Sequence, residues 1–219
     1  LGFFLGMRHA TDPDHVAAVT TLVARQRSAR SAAWIGAAWG LGHTVTILAV
    51  GSGIILLGWV IPARVGLSLE LSVGVMLIVL GLVNLVGAVR GARASVVPTD
   101  PDSKAPRIGP GLVRPAIVGL VHGLAGSAAV ALLVLTTISN PTWAVFYLLV
   151  FGVGTMVGMM LITMAIALPF RAAGHRFERL DRGLRIASGV ISLAFGVFLA
   201  WEIGVTSGLF GAAPLWTPH

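Results

Sequence analysis

The stretch Leu1–Val23, LGFFLGMRHATDPDHVAAVTTLV, is an apolar run interrupted by the polar insert Arg8–His15. Pro13 lacks a backbone N–H, and it disfavours a helical conformation at Asp12, the residue before it. Aspartate is also a favourable N-cap, and proline suits the first position of a helix. The sequence therefore predicts a broken helix, with one half that ends near Ala10 and another that starts at Pro13.

Five further apolar runs follow the first: Trp34–Ile61, Leu67–Val89, Leu112–Ile138, Trp143–Phe170 and Leu184–Ile203. Each reaches the roughly 20 residues that cross a hydrocarbon core of about 30 Å. The chain is 56% hydrophobic and 11% charged, more apolar than the surface of a soluble domain permits. No run alternates as a membrane β-strand does. We therefore predict an all-α integral membrane protein with six transmembrane helices.

The basic residues indicate an orientation in the membrane. The second predicted loop carries only Arg64, and the fourth carries no Lys or Arg. The first, third and fifth loops hold the clusters: Arg25, Arg27, Arg30; Arg90, Arg93, Lys104, Arg107; Arg171, Arg176, Arg179, Arg182, Arg185. This alternation follows the positive-inside rule, so we expect a multi-pass protein of the cytoplasmic (inner) membrane with both termini outside. The same distribution of basic residues accounts for the net charge of +7, so we expect no nucleic-acid partner.

The two halves of the sequence resemble each other. His9 aligns with His122, Trp39–Gly42 aligns with Phe151–Gly154, and three separate helices give similar offsets. Because three is an odd number of crossings, a second copy of a three-helix unit must insert upside down. Such inverted repeats are typical of transporters whose substrate site lies at the midplane.

We place the boundaries of this repeat by composition. Residues 1–95 form the first three-helix repeat and residues 112–210 the second. Residues 96–111, with four prolines, form a cytoplasmic linker, and residues 211–219 form an external tail. These boundaries predict two equivalent halves around a single central site.

Six side chains are candidate metal ligands at that site. Ionisable groups inside a membrane are costly unless they are paired or functional. At about 1.5 Å per residue, the polar insert lies half-way across the bilayer, and two more histidines lie about ten residues into their own helices. Imidazole with carboxylate suits nickel, cobalt, zinc or iron(II). The candidates are His9, Asp14, His15, His43, His122 and Asp12, the last being either a helix cap or a ligand.

Three motifs resemble those of the nickel/cobalt transporter (NiCoT) superfamily. His9 with Asp14-His15 resembles the family signature, and Leu41–Thr44 resembles its second histidine motif. Val121–Ala129 is similar to a motif of the urease-associated six-helix nickel permease branch. The resemblance implies metal-selecting roles for the histidines and Asp14, and a transported Ni²⁺ or Co²⁺ rather than a prosthetic group. The chain departs from the family at Pro13, where alanine is usual, and it has six helices instead of eight.

Other functions remain open at the level of sequence. A six-helix exporter of small amino acids or anions shares the helix count, and a haem-binding membrane redox protein would also use transmembrane histidines. A hydrolytic metal site is a further alternative, although we expect a transporter and no enzyme. The chain has no cysteine, which excludes dithiol electron transfer. A homo-oligomer or a metallochaperone partner is a further expectation.

Three more charged residues each have two possible roles. Glu70 and Glu202 lie near the outer ends of their predicted helices, where they either attract cations to an external vestibule or are solvated at the interface. Arg8 either extends to the interface or pairs with an acid of the site. The imidazoles themselves could instead form structural hydrogen bonds between helices.

Overall fold

The computed structural model describes residues 1–24, 28–90, 110–174 and 178–216. Within these ranges the chain is helical and contains no strand. The helices are α1 Gly2–His9, α2 Pro13–Val23, α3 Ala29–Leu57, α4 Ala63–Val89, α5 Pro110–Thr137, α6 Pro141–Gly174 and α7 Glu178–Trp201. A π-helical turn, Glu202–Thr206, continues α7. The predicted all-α class is confirmed.

Among the described residues, four helices are long and apolar enough to cross a bilayer: α3, α4, α6, and α7 with its π-helical continuation. Helix α5 is comparably long and includes the shorter apolar segment Gly111–Gly126. Large apolar side chains such as Leu41, Val83, Leu161 and Phe198 project from these helices into the surroundings. Apolar surface of this extent requires lipid around it, and the chain is a multi-pass membrane protein.

The first helix is broken where the sequence predicts. Helix α1 ends at His9, and the N–H groups of Thr11 and Asp12 then bond to the carbonyls of Arg8 and His9. Helix α2 starts at Pro13 with Asp12 at its N-cap position. The Asp12 carboxylate makes no capping hydrogen bond there, so the break leaves this carboxylate available for another partner.

Close backbone contacts hold the helices together. Helix α3 packs along both α5 and α6, α4 packs along α7, and α1 packs along α6. Glycines permit this approach: a Cβ at Gly6 would overlap the carbonyl of Phe151, and one at Gly119 would overlap that of Trp39. Van der Waals contact through small residues is the usual basis of helix association in membranes.

Parts of the predicted domain boundaries lie outside the described residues. Residues 96–109 of the predicted linker 96–111 lie outside the described residues, and the described chain resumes at Pro110. The tail 211–219 is described up to Trp216. Most of the basic residues in the third loop, as well as Arg25, Arg27 and Arg176, also fall outside. The repeat boundaries and the orientation therefore stay predictions.

Candidate metal centre

Four imidazoles meet inside the helix bundle. His9 is the last residue of α1, His15 lies in the first turn of α2, His43 lies on α3 and His122 on α5. Their ring centroids are 4.4 Å apart for His15 and His122, 4.7 Å for His9 and His15, and 5.1 Å for His15 and His43. The structure therefore brings the imidazoles of the three predicted histidine-bearing segments together.

The donor atoms form two overlapping groups of three. The first group is His9, His15 and His43, and the second is Asp14, His15 and His122. Within each group, one donor atom from each residue lies within 4.8 Å of the others. His15 belongs to both groups and is the geometric centre of the cluster.

Asp14 orients two of these rings. Its Oδ1 accepts hydrogen bonds from the backbone N–H of His15 at 2.9 Å and from the Nδ1–H of that residue at 3.0 Å. Its Oδ2 accepts the Nε2–H of His122 at 2.8 Å. A carboxylate that holds the far nitrogen of an imidazole fixes its tautomer and makes the other nitrogen a better metal ligand. The Asp14 side chain thus links α2 to α5 and orients both His15 and His122 for metal binding.

His9 has the same kind of support from Asp12. Its Nδ1 lies 2.7 Å from Asp12 Oδ2, and its Nε2 lies 3.2 Å from His43 Nε2. Two nitrogens bound at about 2.0–2.1 Å to one tetrahedral ion are roughly 3.4 Å apart. The His9 and His43 nitrogens are therefore already spaced as neighbouring ligands of a single cation.

Three buried imidazole nitrogens have no hydrogen-bond partner within the part of the chain that the structure describes. They are His15 Nε2, His43 Nδ1 and His122 Nδ1. Their side chains are almost completely buried, with 1%, 0% and 2% of the residue surface exposed. A buried polar atom without a partner costs about 1–3 kcal/mol, so such atoms call for an explanation. A set of nitrogen lone pairs with nearby carboxylates fits a divalent transition metal.

Two aromatic side chains of the site were missed by the sequence reasoning. The Trp39 ring stacks on His15 with centroids 5.6 Å apart, and it meets the His122 ring edge at 5.8 Å. Phe151 lies 5.5 Å from the ring of His9. The signal for Trp39 was its position four residues before His43, which puts both on one helix face. These rings limit the movement of the imidazoles.

The remaining charged candidates lie outside the imidazole cluster. Arg8 is exposed and forms no ion pair among the described residues. Glu70 and Glu202 lie together with Asp14 on the wall of a cavity of about 290 Å³. Their position on this wall fits the vestibule interpretation, and the exposure of Glu202 also fits solvation at the membrane interface.

The contacts of Asp12 predict a specific mutational result. Because Asp12 binds His9 and caps nothing, we expect Asp12→Asn and Asp12→Ser each to weaken the binding of a divalent transition-metal ion by about 10–100-fold, as loss of an outer carboxylate does. Serine is a good N-cap, so a capping role would leave Asp12→Ser close to wild type. Calorimetric titration of purified protein in detergent measures the affinity, and thermal unfolding checks the helix.

Fold and site together define a polytopic helical membrane protein with a buried histidine–carboxylate centre. Residues 15–198 match the family described as the cytochrome c biogenesis protein transmembrane region. The chain is also 35% identical over 213 residues to the urease accessory protein UreH of Bacillus sp. (strain TB-90), covering 96% of this chain and 93% of that protein. The chain belongs to the urease-associated branch of the nickel/cobalt permease family, which confirms the family predicted from its motifs.

Two plant proteins are more distant relatives. The Arabidopsis thaliana chloroplast proteins FOR GROWTH AND FERTILITY 2 and 1 are 28% and 27% identical to this chain over 222 and 215 residues. These matches cover 96% and 90% of this chain but 56% of each plant protein, so the chain spans about half their length. None of the three relatives bears the name of an enzyme. No solved structure matches the chain.

Proposed function

We propose that this protein is a secondary permease that carries a divalent transition-metal cation, nickel or cobalt, across the cytoplasmic membrane. The observation that carries the proposal is the cluster inside the bundle in which His15 joins the group of His9 and His43 to the group of His122 and Asp14. Such a cluster can replace the water shell of a doubly charged ion by nitrogen donors and offset its charge with Asp12 and Asp14. The relationship to a urease accessory protein supports nickel.

The hydrogen bonds indicate which atoms bind the cation. Asp12 and Asp14 hold the Nδ1–H groups of His9 and His15, which leaves both Nε2 atoms with lone pairs. His43 shares its Nε2 proton with His9 Nε2. When the cation binds, this proton leaves Nε2, and the unpartnered Nδ1 of His43 can take it. In this scheme His122 and Asp14 complete the second donor group, which shares His15 with the first.

Reciprocal helix contacts support two inverted three-helix repeats around this site. Gly6 of α1 meets the Phe151 carbonyl of α6, just as Gly119 of α5 meets the Trp39 carbonyl of α3. The alignment of the two halves of the sequence matches Gly6 with Gly119 and Trp39 with Phe151. The third helices pair with each other through Gly74, Gly81, Gly189 and Gly196. We propose that the halves move against each other and expose the site alternately to each side.

Aromatic side chains indicate which helix ends would lie at the membrane–water interface. Trp59, Trp143 and Trp201 lie close to helix ends and are more than half exposed. Tryptophan at helix ends is typical of the membrane–water interface. With loops one, three and five in the cytoplasm, all three would lie at the outer surface.

The packing of the cluster disfavours haem. The ring of His15 lies 5.1 Å from His43 and 4.4 Å from His122, so it occupies the space that a macrocycle would need between two axial ligands. The exporter of amino acids or anions has no observation in its favour, since the buried centre offers carboxylates and nitrogen lone pairs, a donor set for a cation.

Uptake into proteoliposomes tests the proposal. We expect His9→Ala and Asp14→Ala to lose most nickel and cobalt uptake, because each removes a donor or the group that orients two donors. Asn84→Ala is a matched control: this buried side chain binds Ser188 Oγ on α7 at 2.7 Å and lies outside the cluster. Full uptake by both cluster variants, or no specific uptake by wild type, would refute the permease assignment.

A further inference from the structure

A cavity of about 290 Å³ adjoins the metal centre on one side. It is bounded by α2, α4, α5, α7 and the C-terminal segment. Three carboxylates line it: Asp14 of the centre, Glu70 of α4 and Glu202 at the end of α7. The described part of the cavity wall carries no basic side chain, and its other residues are mostly apolar. The cavity therefore presents negative charge along a path that ends at Asp14.

The first donor group lies close to one wall of the cavity. Gly126 of α5 lies on the wall, and a Cβ placed there would be 3.8 Å from both Nε2 and Cε1 of His9. His9 thus lies directly behind a glycine of the wall, while Asp14 lies on the wall itself. The second donor group therefore borders the cavity through Asp14, and the first lies one glycine away from it.

The C-terminal segment covers this cavity. The Trp216 indole N–H donates to Glu70 Oε1 at 2.8 Å. The same ring lies against Gly66 of α4 so closely that a Cβ at Gly66 would overlap it. The backbone N–H of Leu215 bonds to the carbonyl of Ser207 at 3.0 Å, which returns the segment to the end of α7. Trp216 is thus fixed over the cavity by its hydrogen bond to Glu70 and by packing against Gly66 and Ile54.

We infer that this cavity is the external entrance for the cation, that Glu70 and Glu202 attract it, and that Trp216 is the latch that closes the entrance. The inference rests on the proposed function, since it names the route to the same site. Carboxylates along a narrow path with apolar walls concentrate divalent cations and repel anions. When Glu70 engages an arriving cation, it releases the indole, and the C-terminal segment can move away.

The absence of cysteine in the sequence makes a direct accessibility experiment possible. Leu199 lines the cavity, whereas Phe198, the preceding residue on α7, is 56% exposed on the outer face of the helix. We expect Leu199→Cys in sealed vesicles of known orientation to react with a charged, membrane-impermeant thiol reagent added outside. We expect Phe198→Cys, which faces lipid, not to react. Bound Ni²⁺ should slow the reaction of Leu199→Cys.

Two variants test the latch in the Leu199→Cys background. Trp216→Ala removes the indole, and Gly66→Ala displaces it without changing either hydrogen-bonding partner. We expect each to speed thiol labelling by at least about tenfold, the equilibrium shift for loss of one hydrogen bond to a charged group. Gly183→Ala, a helical position with open space around it, is the matched control and should leave labelling unchanged.

The glutamates are tested by their salt dependence. We expect Glu202→Gln to raise the half-saturating nickel concentration for uptake roughly threefold to fivefold at low ionic strength. The effect should shrink in about 1 M salt, where charges are screened beyond about 3 Å. Equilibrium nickel binding at the centre should change little, because Glu202 is not one of its donors.

The outcomes separate the entrance from the permease assignment. Thiol labelling needs no transport, so it reports on the cavity even if wild-type uptake is absent. Labelling from the cytoplasmic side alone, equal labelling of Leu199→Cys and Phe198→Cys, or no response to both Trp216→Ala and Gly66→Ala would overturn the inference while uptake and metal binding remain. If wild-type protein shows no metal uptake while Leu199→Cys is labelled as expected, the proposed function is refuted and the entrance is not.

Discussion

His15→Gln should lose at least about 100-fold in nickel affinity, more than any other single substitution in the cluster. His15 is the residue shared by both donor groups, and its Nε2 is buried without a partner in the described structure. Glutamine has a similar length but offers no imidazole lone pair. Loss of an outer-shell partner costs about 10–100-fold, so loss of a ligand common to both groups should exceed that range.

The ranking of variants is the informative part of this experiment. His9→Gln and His122→Gln each affect one donor group, so calorimetric titration should give both a smaller loss than His15→Gln. Elution volume and helical circular dichroism should match wild type for all three, which excludes unfolding as the cause. Equal losses for the three variants would contradict the arrangement in which one histidine serves two overlapping groups.

Gly119→Ala should lower the free energy of unfolding by about 1–3 kcal/mol, the usual cost of added volume in a packed core. The new Cβ would overlap the carbonyl oxygen of Trp39, and a main-chain atom of a helix cannot move without its helix. Helices α3 and α5 must therefore separate. Because Trp39 stacks on His15, we also expect weaker nickel binding, although the substitution introduces no change in charge or donor atoms.

The control for this prediction is Gly183→Ala on α7. Nothing lies within 4 Å of the position of its Cβ, so alanine should be neutral or stabilise the helix by up to about 1 kcal/mol. Reversible unfolding in mixed detergent micelles gives both free energies. A Gly119→Ala protein as stable as Gly183→Ala would mean that the close contact between α3 and α5 is not as described.

The local chemistry of the sequence determined much of this molecule. The lengths of the apolar runs predicted the long helices, because bilayer thickness sets how many residues a span needs. Pro13 predicted the start of α2 to the residue, since a missing N–H and a fixed φ act on the adjacent peptide units alone. His9, Asp14 and His15 were identified as candidate ligands because they are polar residues at a helix break. The motifs around the histidines predicted the family.

Which side chains contact each other was decided only by the tertiary structure. Sequence left Asp12 between cap and ligand, and the fold instead turns its carboxylate to His9. Nothing in a single helix shows that Asp14 reaches His122 across to α5, that Trp39 covers His15, or that Trp216 meets Glu70. Periodicity and propensity describe interactions within a few residues of each other, whereas these contacts depend on how closely glycine lets two helices approach and how each is rotated about its axis.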